Sequence, residues 1–509
     1  MSDVVLDGRS LSLGDIGRVA AGPETRVVLS REAAVGMAES RALIERLVTS
    51  GEPVYGVTTG FGRLADVAIP PEDRTALQHN LVRSHASGVG APMDRTAVRA
   101  LMLLRANALA RGHSGCRVVL VERLLALLNA GIHPRVPEFG SVGASGDLAP
   151  LAHVALALLG EGLAEQGGVE SSVGGLMAAA GIEVLALGSK EGLALINGTQ
   201  ATTGIGVLSL LAAERALEAA EVAGAMSLDA LLGTPEPFRE EIQDARPHPG
   251  QKRSAAKLRA LLAGSEIRES HREGDPRMQD AYSLRCMPQV HGAAREALGY
   301  VRRILETEAN SATDNPLVFP EAGVVVSGGN FHAQIVSQAL DLLVIAVADL
   351  AAISERRVER LLNPDLSVGL PAFLANRPGV ESGFMIAQVT AVDLLAEMRI
   401  LSHPASVDSV TTSANQEDHV SMGLAAARKA SRTVDCLERV LAIELMCAAQ
   451  GIDYRRPLRS SGAVEEAHAR IRLDVSKLEG DRMLGPDLER LTGLIRSGAL
   501  AAIGTETEQ

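Results

Sequence analysis

The stretch with the most unusual chemical potential is a loop of small residues that runs into a helix. It reads GSVGASGDLAPLAH over residues 140–153. The backbone N–H groups of such a loop can bind an anion where the helix begins, or the loop simply turns tightly. Asp147 is well placed as the N-cap of the helix, and Pro150 is tolerated in its first turn. From the residue types alone, these two interpretations are favoured over a catalytic role.

A second candidate is Tyr55, which lies in the glycine-rich segment VYGVTTGFG over residues 54–62. A phenol is a poor base at neutral pH, so this tyrosine would need a positive or dipolar neighbour to remove a proton. The alternative is an anchoring aromatic side chain. Because the chain has only four tyrosines, one placed in a glycine-flexed loop is a better candidate than usual.

Further polar and aromatic candidates are spread along the chain, and each has a plain structural alternative. An Asn-Gly pair is a turn signal, a single arginine usually forms a surface ion pair, and a single histidine or phenylalanine is usually structural. Tyr282 and Arg285 are three residues apart and would share one face of a helix. The candidates are His85, Asn197, Gln279, Tyr282, Arg285, Asn315, Phe331 and Glu417.

Taken together and in this order, the segments resemble the aromatic amino acid ammonia-lyases, most closely through Ala144-Ser145-Gly146. In that family the tripeptide cyclises to 4-methylidene-imidazol-5-one, a prosthetic group made autocatalytically from the chain. The residue types suit this reaction. The amide nitrogen of Gly146 must approach the carbonyl carbon of Ala144, which glycine permits because it has no Cβ. Ser145 then loses water and leaves an exocyclic methylene.

The resemblance also implies a role for each candidate. It makes Tyr55, Tyr282 and Glu417 catalytic together with the tripeptide, and it leaves open whether Tyr55 or Glu417 is the base. Arg285 would bind the substrate carboxylate, a task suited to the planar guanidinium, with help from Asn315. The expected substrate-binding residues are His85, Asn197, Gln279, Arg285, Asn315 and Phe331.

Two positions address which amino acid the site accepts. Ser84-His85 and the Glu417 carboxylate resemble the histidine-directed branch of the family. A carboxylate and a histidine can hydrogen-bond an imidazole ring, whereas beside a phenyl ring they would be a desolvation liability. The expected reaction is therefore loss of ammonia from L-histidine to give trans-urocanate, the first step of histidine degradation. The alternatives are a tyrosine or phenylalanine ammonia-lyase or an aminomutase with the same electrophile. In another class, a non-catalytic helical assembly would use residues 143–147 only as a helix start.

Helices must position most of these residues, because aromatics make up only 2% of the chain and alanine and leucine carry the apolar content. Long helical patterns cover residues 200–228, 289–311, 331–362, 384–401 and 420–450. The prediction is a mainly all-α fold: a long central helix bundle, a smaller N-terminal mixed domain and a helical C-terminal cap. The expected domains are residues 1–110 with the Tyr55 loop, 111–450 with the tripeptide, and 451–509.

Charge and cysteine content limit the partners. The net charge of −13 gives no electrostatic support for binding nucleic acid. The four cysteines form no CxxC pair, and no signal peptide or uninterrupted 18-residue apolar stretch is evident, so a cytoplasmic protein without a membrane partner is expected. The family resemblance implies a homotetramer with sites shared between chains, and no metal or diffusible cofactor.

Overall fold

The computed structural model describes residues 3–51 and 53–504, and most of the chain within these ranges is helical. The mainly α fold class predicted from the sequence is confirmed. The α-helices are α1 (Leu13–Ala21), α2 (Arg31–Ser50), α3 (Arg74–His85), α4 (Arg95–Ala110), α5 (Val118–Asn129), α6 (Leu148–Leu158), α7 (Val173–Ala179), α8 (Glu191–Ile196), α9 (Gln200–Ala230), α10 (Glu240–Asp244), α11 (Pro249–Leu262), α12 (Glu266–Glu269), α13 (Tyr282–Arg285), α14 (Met287–Ala309), α15 (Gln334–Leu362), α16 (Met385–Leu401), α17 (Gly423–Arg455), α18 (Gly462–Asp474) and α19 (Gly485–Arg496).

The strands are short and form small separate sheets. They are β1 (Val4–Leu6), β2 (Val27–Leu29), β3 (Val89–Pro92), β4 (His133–Pro134), β5 (Pro137–Phe139), β6 (Leu163–Gln166), β7 (Val169–Ser172), β8 (Leu317–Phe319) and β9 (Val324–Val326). β1 pairs with β2 in parallel, whereas β3–β5, β4–β6–β7 and β8–β9 are antiparallel. Each sheet joins loops around the helices and forms no layer of its own.

The long helices predicted from periodicity lie close to their expected positions. α9, α14 and α16 begin and end within two residues of the predicted bounds. α15 begins at Gln334, later than predicted, because Phe331 and His332 belong to a turn closed by a hydrogen bond from His332 N to Gly329 O. α17 begins three residues late and continues to Arg455. Helical periodicity therefore located these elements, whereas local turns decided where they begin.

The chain divides into two compact units, each assembled from separated segments. The first unit consists of Met1–Ser209, Arg302–Asp341 and Pro404–Arg428, and the second of Leu210–Val301, Leu342–His403 and Lys429–Gln509. The three-part domain division remains a prediction.

In the first unit, α4 is buried along most of its length. Every residue from Val98 to Ala110 is buried, including Arg99, Arg105 and Asn107. Small and unbranched side chains allow α1, α2 and α5 to pack against it. Among the described residues, no carboxylate contacts Arg105, and its guanidinium donates instead to the carbonyls of Ala194 and Asn197, at the end of α8. The buried guanidinium of Arg105 therefore holds the backbone where α8 ends.

In the second unit, three long helices meet at a buried ion pair. Glu444 of α17 and Arg357 of α15 are both fully buried, and they form two hydrogen bonds of 2.5 and 2.8 Å. Ser227 of α9 and Ser354 of α15 donate to the two oxygens of the same carboxylate, at 2.7 and 2.6 Å. Since a buried charge is tolerated only when its hydrogen bonds are satisfied, this cluster fixes the register of the three helices.

By length and composition alone, α15 could cross a membrane, and it is the one such helix in the described chain. More than half of its apolar window is buried inside the protein. Its Asp341 accepts hydrogen bonds from the backbone of Ala405 and Ser406 within the first unit. These features are typical of a core helix, so the match is weak evidence for a membrane span.

Candidate active site

A cavity of about 500 Å³ lies in the first unit and brings together seven of the residues singled out in the sequence. These are Tyr55, Ala144, Ser145, Asn197, Asn315, Phe331 and Glu417. The cavity is formed by loops that come from five separated parts of the chain. Of the remaining candidates, Gly146 and His85 lie in the same unit, and Gln279, Tyr282 and Arg285 lie in the second unit.

The tripeptide segment, residues 144–146, is held by close backbone contacts. Gly146 has a φ of +79° and forms a bridge with Gly198, and a Cβ added to Gly146 would lie 2.2 Å from Gly198 O. The next amide, Asp147 N, donates to the same carbonyl at 2.7 Å. Only glycine tolerates both this φ and this approach. Gly146, whose amide nitrogen would have to close the ring, therefore lies tightly against Gly198.

Asp147 occupies the predicted position before α6, but the predicted capping hydrogen bond is absent. Its Oδ1 accepts from Ser141 Oγ and Thr202 Oγ1, both at 2.9 Å, and its Oδ2 accepts from Thr202 N at 2.8 Å. Burial raises the pKa of this carboxyl group above its usual range, while the hydrogen bonds from Thr202 and Ser141 act in the opposite direction. Asp147 therefore connects the loop before α6 to the start of α9. Its carboxylate accepts hydrogen bonds from Ser141 and Thr202 instead of from the first turn of α6.

Tyr55 lies half-buried in a turn, and its hydroxyl oxygen accepts a hydrogen bond from Gly62 N at 3.1 Å. Gly56 has a φ of +66°, and a Cβ at this position would meet Leu193 Cδ2 at 2.5 Å. The glycine therefore lets the turn approach α8. The hydrogen bond from Gly62 N fixes where the phenol oxygen lies in the cavity.

Glu417 is presented by a left-handed turn, residues 412–417. Ser413, Ala414 and Asn415 all have positive φ values, of 51°, 51° and 70°. The turn is closed by two backbone hydrogen bonds between Thr412 and Glu417. Thr412 Oγ1 also donates to Glu417 Oε2 at 2.6 Å, and Ser145 Oγ donates to Oε1 at 2.5 Å. The carboxylate is therefore fixed directly against the tripeptide segment.

His85 ends α3 and is half-buried, outside the residues that line the cavity. Its Nδ1 lies 2.8 Å from Leu81 O. Burial lowers the pKa of His85, whereas that hydrogen bond and the charge of Glu417 raise it. A neutral imidazole that donates from Nδ1 to Leu81 has Nε2 available as an acceptor.

Comparison with known proteins finds similarity along nearly the whole chain. A family model described as aromatic amino acid lyase matches residues 11–473. A histidine ammonia-lyase of Anaeromyxobacter dehalogenans strain 2CP-C is 54% identical over 508 residues, covering 98% of this chain and 100% of the relative. The crystal structure of histidine ammonia-lyase from Trypanosoma cruzi superposes with a TM-score of 0.93 at 44% identity, covering 100% of this chain and 96% of the other. Tyrosine aminomutase from Streptomyces globisporus gives 0.92 at 39%, covering 98% of each chain.

The chain belongs to the aromatic amino acid lyase family.

Two observations test whether the residues fit the prosthetic group of this lyase family. Gly146 and Gly198 leave no space for a Cβ where the tripeptide would close. Asn197 is buried beside Ala144 and Ser145 in the cavity lining, and its Oδ1 has no hydrogen-bond partner among the described residues. A buried amide oxygen without a partner is costly, so a group that completes its hydrogen bonds is expected there. The residues fit a ring formed from residues 144–146.

Asn315 and Phe331 line another part of the cavity. Asn315 Oδ1 accepts from Gly328 N at 2.8 Å, which commits the oxygen of this amide to the backbone. The amide nitrogen is then the group left to bind a ligand. Phe331 is half-buried, directly before α15, and supplies an apolar surface.

The three candidates from the second unit are Gln279, Tyr282 and Arg285. Gln279 and Tyr282 are exposed, and Tyr282 has 71% of its surface accessible. Arg285 lies over the Tyr282 ring, 4.6 Å from its centroid, as expected from their helical spacing. Its Nε is buried without a partner among the described residues. Arg285 therefore lies against the exposed ring of Tyr282 and has a buried donor that no described residue uses.

Several polar residues that line the cavity were not predicted from the sequence. They are Arg63, Asp66, His332, Gln416, Asp418 and His419. The rings of His332 and His419 stack, with centroids 5.8 Å apart and planes 5° apart. Four of them lie within one or two residues of a candidate, which was the signal available in the sequence, whereas Arg63 and Asp66 follow the glycine-rich segment of Tyr55. Within residues 3–51 and 53–504, no group of three or more acidic, histidine or cysteine side chains could hold a metal ion.

Proposed function

We propose that the protein eliminates ammonia from L-histidine and releases trans-urocanate, using a prosthetic group formed autocatalytically from Ala144-Ser145-Gly146. The observation that carries the proposal is the contact between Ser145 and Glu417 in a cavity that also contains Tyr55. A relative that is 54% identical over the whole chain is named histidine ammonia-lyase, which supports the same reaction. Once formed, the group supplies an electrophilic carbon that binds the substrate amine and makes ammonia a better leaving group.

Proton removal from the substrate is assigned to the pair Tyr55 and Glu417. The Gly62 N–H group donates to Tyr55 Oη and fixes the position of the phenol oxygen, which is the atom that would take the β-proton. Glu417, held by Thr412, can take the same proton or hold the imidazole ring. His85, with its pKa lowered by burial, would hydrogen-bond the imidazole as a neutral group. A phenyl ring would leave these polar groups without partners, which favours histidine as the substrate.

The family resemblance assigns Arg285 and the amide nitrogen of Asn315 each to the substrate carboxylate, in a site that several chains would complete. A guanidinium with a buried, unused donor suits a carboxylate partner. Gln279 and Tyr282 would bind beside it, and Phe331 would cover the apolar part of the substrate.

We propose a homotetramer in which each site is completed by residues from several chains, as the family resemblance implies. The exposure of Tyr282 supports this, because a large exposed aromatic next to an arginine is typical of an interface. The cysteines of the described chain are free, which is consistent with the cytoplasm. We expect neither a metal nor a diffusible cofactor, and neither nucleic acid nor a membrane as partner.

The test combines intact mass with turnover. Purified protein should be lighter than its sequence by two waters, and absorbance should report urocanate from L-histidine but no product from L-tyrosine or L-phenylalanine. Ser145→Ala is the matched control, because it cannot lose the second water and should be inactive. An unmodified mass without turnover would instead favour a non-catalytic helical assembly.

A second candidate is action on tyrosine or phenylalanine by a lyase or an aminomutase. It is favoured by the tyrosine aminomutase structure, whose TM-score of 0.92 is nearly that of the histidine ammonia-lyase structure. Loss of two waters with turnover of tyrosine would support it, and a β-amino acid product would identify an aminomutase.

A further inference from the structure

Behind the cavity, the first unit contains an ion pair that the proposed chemistry does not use. Lys190 Nζ lies 2.8 Å from Asp314 Oδ2, and the two side chains have 0% and 2% of their surface accessible. Lys190 also has a φ of 70°, which is unfavourable for a residue with a Cβ. A buried ion pair is weak evidence for stability, because desolvation offsets the attraction between the charges. The buried charge and the positive φ are both unfavourable at Lys190, which suggests that this residue has a role beyond folding.

The second oxygen of Asp314 connects the pair to the cavity. Asp314 Oδ1 accepts a hydrogen bond from Asn315 N at 2.7 Å. Asn315 in turn places its amide oxygen on Gly328 N, so its amide nitrogen is left for a ligand. Lys190 therefore orients Asp314, and Asp314 fixes the backbone of the residue that contributes a donor to the cavity.

The charge of the pair is also relevant. The Asp314 carboxylate adjoins Asn315, so without a cation it would repel a negatively charged ligand group bound there. Lys190 is the cation in direct contact with this carboxylate, and the buried Arg105 also feels its charge. The neighbouring Glu191 forms its own ion pair with Arg117. Lys190 is thus the principal group that neutralises Asp314.

We propose that Lys190 and Asp314 are a positioning pair that directs the amide nitrogen of Asn315 toward the substrate carboxylate and keeps that end of the cavity free of negative charge. The inference rests on the proposed function, because it takes an amino acid carboxylate as the ligand of Asn315. Neither residue touches the substrate, so the pair should affect substrate binding and leave the chemical step nearly unchanged.

Three variants separate charge from structure. Lys190→Met leaves the Asp314 charge buried without its partner, and KM for L-histidine should rise about tenfold with kcat within about threefold of wild type. Asp314→Asn keeps an oxygen for Asn315 N and removes the negative charge, so KM should remain near that of wild type although stability falls. The double variant Lys190→Met/Asp314→Asn should restore KM, because neither charge remains.

Ligand binding supplies a readout independent of turnover. Titration calorimetry should show that Lys190→Met weakens urocanate, which has a carboxylate, about tenfold and leaves free imidazole unchanged. Lys257→Met is the matched control, since Lys257 is also mostly buried and paired, with Glu218 in the second unit. It should lower stability without moving KM.

The proposal is overturned if Lys190→Met binds urocanate as tightly as wild type does, or if Lys190→Met and Lys257→Met change KM equally. It is also overturned if the double variant shows no recovery. Wild-type protein that does not act on L-histidine would refute the proposed function, and urocanate binding would still decide the role of the pair.

Discussion

Two sides of the cavity adopt left-handed backbone conformations by different means. In the tripeptide segment and directly before it, the residues with a positive φ are glycines, Gly146 and Gly143. In the left-handed turn, the three consecutive residues Ser413–Asn415 have positive φ and none is glycine. Left-handed backbone costs a residue with a Cβ roughly 1 kcal/mol or more. The first conformation is therefore set by residue type, whereas the second is imposed by the hydrogen bonds between Thr412 and Glu417.

The largest expected effect comes from a methyl group in the tripeptide segment. Gly146→Ala would place a Cβ 2.2 Å from Gly198 O, a backbone atom that cannot move aside. We expect a loss of about 3 kcal/mol or more in the free energy of unfolding. Intact mass should show no loss of water, and turnover should be absent.

Gly162→Ala is the matched control for this change. Gly162 has a φ of +85° and nothing within 4 Å of an added Cβ, so it measures the cost of the dihedral alone, about 1 kcal/mol. Equal destabilisation by the two variants would show that the close contact with Gly198 is unimportant.

The next effect tests the hydrogen bonds that hold the left-handed turn. Thr412→Val keeps the shape of the side chain and removes the donor to Glu417 Oε2. With one oxygen released, the carboxylate is no longer held in one orientation beside residues 144–146, and kcat/KM should fall about tenfold. Steady-state kinetics on L-histidine measures this, with Thr390→Val, on an exposed part of α16, as a control that should behave as wild type. Unchanged kinetics would mean that the backbone alone positions Glu417.

The difference between these regions also explains what the sequence could predict. The small residues of 140–146 predict a tightly turned loop, and apolar periodicity located the long helices to within a few residues. The partners of Asp147 could not be predicted, because Thr202 is 55 positions away and belongs to another helix. The left-handed turn could not be predicted either, since nothing in Ser413–Asn415 requires a positive φ. Residue type encodes local conformation, whereas contacts between distant segments impose the remainder.

A smaller effect measures the strain in the turn. Ala414 is exposed, with φ 51° and ψ 49°, so its side chain contributes little packing. Ala414→Gly should stabilise the protein by up to about 1 kcal/mol, because glycine adopts this conformation freely. Ala414→Val should destabilise it by about 1 kcal/mol or more, since a β-branched residue is worse there. Denaturant unfolding measures both. A glycine variant less stable than wild type would show that unfolded-chain entropy outweighs the relief of strain.

The smallest effect is a pH dependence of the protein's stability, which arises because burial lowers the pKa of His85. Its folded pKa is lowered below 6.5, chiefly by burial, with Leu81 and Glu417 opposing. Between the folded pKa and 6.5 the unfolded chain binds more protons than the folded chain, so stability falls as pH falls through this window. The difference in unfolding free energy between wild type and His85→Gln should therefore become less favourable to wild type from pH 7.5 to about pH 5.5. Adding Glu417→Gln removes a charge that raises the folded pKa of His85, so the loss of stability should extend to lower pH and become larger. No change on adding Glu417→Gln would mean that the charge of Glu417 does not act on His85.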